Sequence, residues 1–115
     1  MKALRLRELP LLVVVLVAGT ACRHVRKTPE QRGEGVFLRS CATCHGPDAR
    51  GTHPAGFKTP PANLTDPKLQ DRLGDEGIRD TIRHGKGQMP PFGALLEPED
   101  VDGVVRYLHT LRRAE

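Results

Sequence analysis

The chain has 115 residues and a formal net charge of +4, from 18 basic and 14 acidic side chains, which is the length of one small domain. From Cys22 onward the balance is fifteen against thirteen, or +2, too small an excess to point to a nucleic-acid partner. No Trp, three Phe and one Tyr stand against twelve Gly and ten Pro; so few large apolar side chains should not offset chain entropy unaided, and a flat apolar cofactor is expected to fill the centre.

Met1 to Glu8 carries Lys2, Arg5 and Arg7, Leu9 to Ala18 is apolar, and Gly19, Thr20 and Ala21 are small. This order predicts a secretory signal over residues 1–21. The apolar run is shorter than the roughly 20 residues a spanning helix needs; a retained anchoring helix is the alternative. Cys22 stands apart from the other two cysteines. Gly19-Thr20-Ala21-Cys22 resembles a bacterial lipobox, which implies lipidation of Cys22 after cleavage, although Leu is usual where Gly19 stands. Ordinary cleavage would instead leave a free thiol there, and an exposed unpaired thiol is a liability. Residues 22–28 form a short basic linker, and residues 29–113 the folded domain.

Thr28-Pro29-Glu30-Gln31 predicts a helix start, with Thr28 as cap, Pro29 in the first turn and Gln31 closing a capping box. The helix should run to about Ser40, with Val36 and Phe37 on its apolar side. Gly33 and Gly35 each cost about 1 kcal/mol in a helix interior, and Gly33 is expected where another backbone comes close. Gly, Pro, Asp and Thr dominate from Gly46 to Gly74, which predicts loops. A short helix over Asp75 to His84 follows, with Ile78 and Ile82 buried and Gly85 as its stop. Lys86 to Leu96 reads as a second loop. From Pro98, Val101, Val104, Val105, Leu108 and Leu111 recur at helical spacing. No strand pattern of useful length occurs, so the class is all-α.

Cys41-Ala42-Thr43-Cys44-His45 is the C-x-x-C-H pattern of c-type haem attachment. At a helix end, two thiols three positions apart reach the two vinyl groups on one edge of a haem, and the next imidazole turns under the ring to bind iron. A structural zinc site would need two further thiolate or imidazole ligands; His24, His53, His84 and His109 supply no pair at ligand spacing, apart from Cys22 with His24. A dithiol redox pair would need a βαβ setting.

The chain resembles a class I, mitochondrial-type c-type cytochrome in its short bacterial monohaem form. Three blocks carry the likeness: Gly33-x-x-x-Phe37 leading into Cys41-Ala42-Thr43-Cys44-His45-Gly46, then Met89-Pro90-Pro91-Phe92-Gly93, then Val105-Arg106-Tyr107-Leu108. The resemblance implies three to four helices wrapped around one covalent haem c. It implies that terminal helices cross at nearly a right angle, with Gly33 and Phe37 against Tyr107. It makes His45 and Met89 the iron ligands. Met89 is the sole methionine past the leader, and Pro90 and Pro91 each fix a φ angle beside it. A gap-filling core role is the other reading of Met89; His84 and His53 are alternative ligands. The resemblance also implies a proline carbonyl accepting from the His45 imidazole. Pro54, Pro60 and Pro61 are candidates, and Pro61, three before Leu64, is the best placed.

With both axial positions filled no coordination site remains for a substrate, so the resemblance implies an electron carrier and not an enzyme. Its partners would be donor and acceptor proteins meeting the haem edge, with no small-molecule substrate, from a monomer in the periplasm held to a membrane through lipidated Cys22. A haem enzyme or gas sensor with a labile sixth ligand is the alternative function, and a zinc-binding interaction module a third.

Overall fold

The computed structural model describes residues 25–51 and 56–112. The signal segment, Cys22, His24, His53, Pro54 and the end of the domain at 113 lie outside the described residues. Four helices follow in order: α1 (Pro29–Ser40), α2 (Ala42–His45), α3 (Pro67–His84) and α4 (Pro98–Thr110). Among the described residues there is no strand, only an isolated antiparallel bridge between Lys86 and Met89. The all-α class and the helix count are those the sequence predicts.

The start of α1 is the predicted capping box. Gln31 N–H donates to Thr28 Oγ1 at 3.2 Å, and Thr28 N–H donates to Gln31 Oε1 at 3.0 Å. Two otherwise unpaired amide donors are thereby satisfied. The last helix starts at Pro98 as the sequence predicts and ends at Thr110, one residue before the last member of its stripe, and Val101, Val104, Val105 and Leu108 are buried.

The region between Gly46 and Gly74 differs from expectation. Its composition predicts loops throughout, yet Pro67 to Leu73 is helical. Asp66 caps this turn by accepting from Lys68 N–H at 2.9 Å, and Pro67 fills the first position. Gly74, at φ 62° and ψ 172°, interrupts α3 and separates this part from the predicted helix beginning at Asp75. A side chain bearing a Cβ is strained at that φ, so glycine makes the kink affordable.

The core lies where α1 crosses α4, with Ile78 and Ile82 of α3 and Ala49 completing it. Phe37 is fully buried, and its ring meets Tyr107 at a centroid distance of 5.5 Å and an interplanar angle of 51°. The nearest neighbour in the direction of a Gly33 side chain is the backbone of Gly103, not Tyr107. Two glycines, one on each helix, allow the contact. Ion pairs fasten α4 and the residues just past its end to the other helices from outside. Arg79 Nε donates to Asp102 at 2.7 Å, Arg112 grips Asp71 with two bonds of 2.7 and 2.8 Å, and Arg32 lies 3.5 Å from Asp100.

A Cβ at Gly33 would fall on the Gly103 carbonyl, which is backbone and cannot swing away. Gly33→Ala should therefore cost about 3 kcal/mol through overpacking. At Gly35 an added Cβ meets only the flexible Arg39 terminus at 3.2 Å, so Gly35→Ala should stabilise by about 0.5–1 kcal/mol. Urea unfolding of the cofactor-loaded protein, followed by circular dichroism, checks both.

Arg112 holds the Asp71 carboxyl below the usual carboxylate range, through its hydrogen bonds first and its charge second. A carboxyl with a lowered folded pKa adds stability above its unfolded pKa and loses it as pH falls through the folded one. Arg112→Ala should return the Asp71 titration to the ordinary region near 3.9. The variant's stability deficit should be present at neutral pH and fade in acid. Carboxyl-resolved NMR titration and unfolding at several pH values test this.

Candidate haem-binding cleft

The end of α1 turns directly into a single helical turn that carries the motif. Cys44 N–H and His45 N–H both donate to Cys41 O, at 3.1 and 2.9 Å. Cys41 and Cys44 are therefore presented on one short stretch, each half-buried and neither in a disulfide. Burial, with Cys44 nearby as a smaller cause, pushes the Cys41 thiol up to about 11. At neutral pH it is an uncharged thiol, suited to an apolar wall.

Gly46, at φ 79°, ends the turn and sends the chain back along the motif. Gly51 N–H donates to His45 O at 2.8 Å, and Leu64 N–H donates to Ala49 O at 2.7 Å. These bonds bring residues 60–64 beneath the imidazole. His45 Nδ1 lies 3.1 Å from Ala62 O. A carbonyl can only accept, so Nδ1 carries the proton and Nε2 is left with the lone pair a metal needs.

The sequence puts this contact on Pro61; the structure puts it one residue on. The Pro61 carbonyl is packed against Gly51 instead, where any Cβ would strike it. The loop from Gly51 to Leu64 sets which carbonyl arrives under the ring, and its length is not readable from local pattern. Pro61 and Leu64 both still line the cleft.

Met89 is brought to the same cleft by the loop that follows α3. Lys86 N–H donates to Met89 O at 3.1 Å and Met89 N–H returns to Lys86 O at 3.0 Å, closing a tight turn. Past the prolines, Phe92 N–H donates to Ile82 O at 2.9 Å and Gly93 N–H to Arg83 O at 3.1 Å. The loop is thus closed on itself before Pro90 and Pro91 and fastened to the end of α3 after them. Thr59 N–H reaches Gln88 Oε1 at 3.3 Å, linking this loop to the one beneath His45.

Between the two loops lies a cavity of about 570 Å³, within the usual range for cofactor sites. Cys41, Cys44, His45 and Met89 all line it, with Phe37, Ile78, Ile82, Val104 and Leu108 among its apolar walls. Among the described residues no carboxylate lines it, while Arg72 and Lys86 do. A thiol pair, an imidazole and a thioether around an apolar slot with two cations fit a flat apolar ring that carries two acid groups. The cysteine pair is thus consistent with attachment of a single c-type haem. Of the other histidines in the described chain, His84 lies 3.9 Å from Asp80 and His109 2.8 Å from Asp75, and neither lines the cleft. No group of three or more His, Cys, Asp or Glu suited to a metal ion occurs among the described residues, so the zinc reading lacks a ligand set there. The described residues form no βαβ unit for a dithiol enzyme. Ala62, Gln70, Arg72, Lys86 and Gly103 belong to this architecture without any motif to mark them.

Comparison with known proteins agrees with this geometry. A family described as "Cytochrome C oxidase, cbb3-type, subunit III" matches residues 28–108. The cbb3-type cytochrome c oxidase subunit CcoP of Rubrivivax gelatinosus is 42% identical over 84 residues, covering 71% of this chain and 26% of that protein. The chain therefore spans about a quarter of that relative's length. Cytochrome c6 of Bryopsis maxima is 37% identical over 76 residues, covering 66% of this chain and 84% of that one. Among solved structures, cytochrome cL from Hyphomicrobium denitrificans superposes with a TM-score of 0.57 at 26% identity, over 74% of this chain and 48% of that chain. These likenesses run to small monohaem cytochromes of the c6 and cL kind, and not specifically to the mitochondrial type that the motifs suggest. Since the matched family runs from the Thr28 cap to Leu108 and so takes in every element that builds the cleft, the chain belongs to the c-type cytochromes, in the family of the cbb3-type oxidase subunit III.

Proposed function

We propose that the chain is a one-electron carrier holding a single covalent haem c, exported to the periplasm and tethered there through Cys22. One observation carries the reading: the Ala62 carbonyl fixes the His45 tautomer, in a cleft that Met89 also lines. A bound haem supplies an iron that accepts and returns one electron. Everything else is the chain's work. Cys41 and Cys44 would tether the ring as thioethers, and His45 and Met89 would supply the two ligands that hold its iron. Two fastened loops hold these ligands, so their geometry need not change when the charge does. A thioether opposite an imidazole, in apolar surroundings, favours the reduced state and raises the potential.

The likeness to an oxidase subunit supports a respiratory setting, with donor and acceptor proteins docking transiently at the cleft mouth. Such contacts are typically below about 1,200 Å². No helix among the described residues is long and apolar enough to cross a membrane. The tether therefore rests on the leader and on Cys22.

The purified protein should be coloured, with pigment that survives denaturation and a sharp band in the reduced spectrum. Met89→Ala should keep the covalent haem, open the sixth position to carbon monoxide and lower the potential. Rapid carbon monoxide binding by the unmodified protein would favour a haem enzyme or gas sensor instead. Replacing Cys41 and Cys44 together with Ser should abolish the coloured protein. An unchanged spectrum and potential in Met89→Ala would refute the ligand assignment.

The tether has its own test. A mass spectrum of the mature amino terminus should show a chain beginning at Cys22 with added acyl mass. An unmodified terminus would leave a freely diffusing carrier.

A further inference from the structure

Gln70 lies in the first part of α3, is 4% exposed, and lines the cleft. Its Nε2 donates to Leu64 O at 2.8 Å and to Leu108 O at 2.9 Å. Both partners are carbonyls. Turning the amide over would set its oxygen against two other oxygens, so the orientation is fixed. Gln70 Oε1 is then left as a buried acceptor that bonds to no protein group, the only such side-chain atom among the described residues. Buried polar atoms almost always find a partner, and an orphan points to a group from outside the chain.

The neighbouring side chains do not supply one. Leu69, Leu73 and Val104 share this wall and are apolar, and the Thr81 hydroxyl is spent on Gly77 O at 2.8 Å. We infer that Gln70 is an acceptor site inside the haem cleft for an oxygen-bound proton, given by a buried water molecule or by a protonated haem propionate. This rests on the haem-bound reading above. An ionised carboxylate cannot be the direct partner, because both oxygens would be acceptors. A water has two protons and can serve Gln70 and a carboxylate together. A propionic acid would donate its single proton, and the bond would hold it protonated to higher pH.

Among the described residues, the charged and titratable groups lining the cleft are Arg72 from α3, Lys86 from the distal loop, and Cys41, Cys44 and His45. The last three are engaged by the cofactor. Arg72 and Lys86 both favour an ionised propionate, so a bridging water is the donor that the charges prefer.

The test uses the haem-loaded protein, after its covalent pigment has been established; a colourless protein would defeat the haem reading and this inference with it, whereas the results below bear on Gln70 alone. A crystal structure resolving ordered water should place an oxygen about 2.7–3.0 Å from Gln70 Oε1. Reduction potential is then followed against pH for the wild type and Gln70→Met. With water as donor, the variant should differ by an offset independent of pH. With a propionic acid as donor, the wild type should show a break in the potential, moved to lower pH in the variant. The inference fails if Oε1 meets only carbon, or if both proteins have the same potential at every pH. Should Gln70→Met not load haem, the wild-type structure decides alone.

Discussion

Where α1 meets α4, no side chain separates the backbones: Gly33 of one lies against Gly103 of the other. Each glycine weakens its own helix by about 1 kcal/mol. The close approach offsets this by letting Val36, Phe37, Val101, Val104 and Val105 interlock, each almost fully buried. It also fixes the site. Cys41 follows α1 directly, so the height of α1 on α4 sets where the thiols and the imidazole begin. Val104 and Leu108, on the same stretch of α4 as the crossing, form part of the cleft wall. A shift of one helix along the other would move the ligands relative to the wall that receives the ring.

Features encoded within a few residues were legible in the sequence: the Thr28 capping box, the valine stripe of α4, the five-residue motif and the close approach at Gly33. Features that depend on how a loop closes were not. Ala62 faces His45 because Gly51 lets the chain pass against Pro61, and nothing local at residue 62 announces it. The helix from Pro67 to Leu73 was hidden by its surroundings of glycine and proline, although Asp66-Pro67 is itself a cap followed by a first-turn proline. Gly103 was masked by the good periodicity around it. Gln70 looks like any polar helix residue until the Leu64 and Leu108 carbonyls are found on either side of its amide nitrogen.

Charge is distributed unevenly between the cleft and the rest of the surface. On the outer face Arg79, Arg83 and Arg112 are paired with acids of α3 and α4. At the cleft, Arg72 and Lys86, both exposed, line apolar walls to which no carboxylate among the described residues contributes. The outer pairs are exposed and screened, and each contributes little alone. Arg72 and Lys86 are exposed as well, but no ion pair among the described residues engages them inside the cleft, and a group bringing its own acids would meet them where they line it.

The same asymmetry holds for the apolar residues. Phe37 and Val104 are enclosed, but Leu64, Leu73, Met89 and Phe92 pack against the core while lining the cleft, and remain half-buried. The chain has assembled one side of a core and left the other side to its cofactor. Under the proposed ligation, one rigid ring would be held by residues 41–45 and by residue 89, separated by more than forty positions. Such a link closes a long loop, and the unfolded chain loses freedom that the folded chain has already given up. Filling the cleft and closing that loop act in the same direction, which is how a domain with no Trp and three Phe can hold one structure.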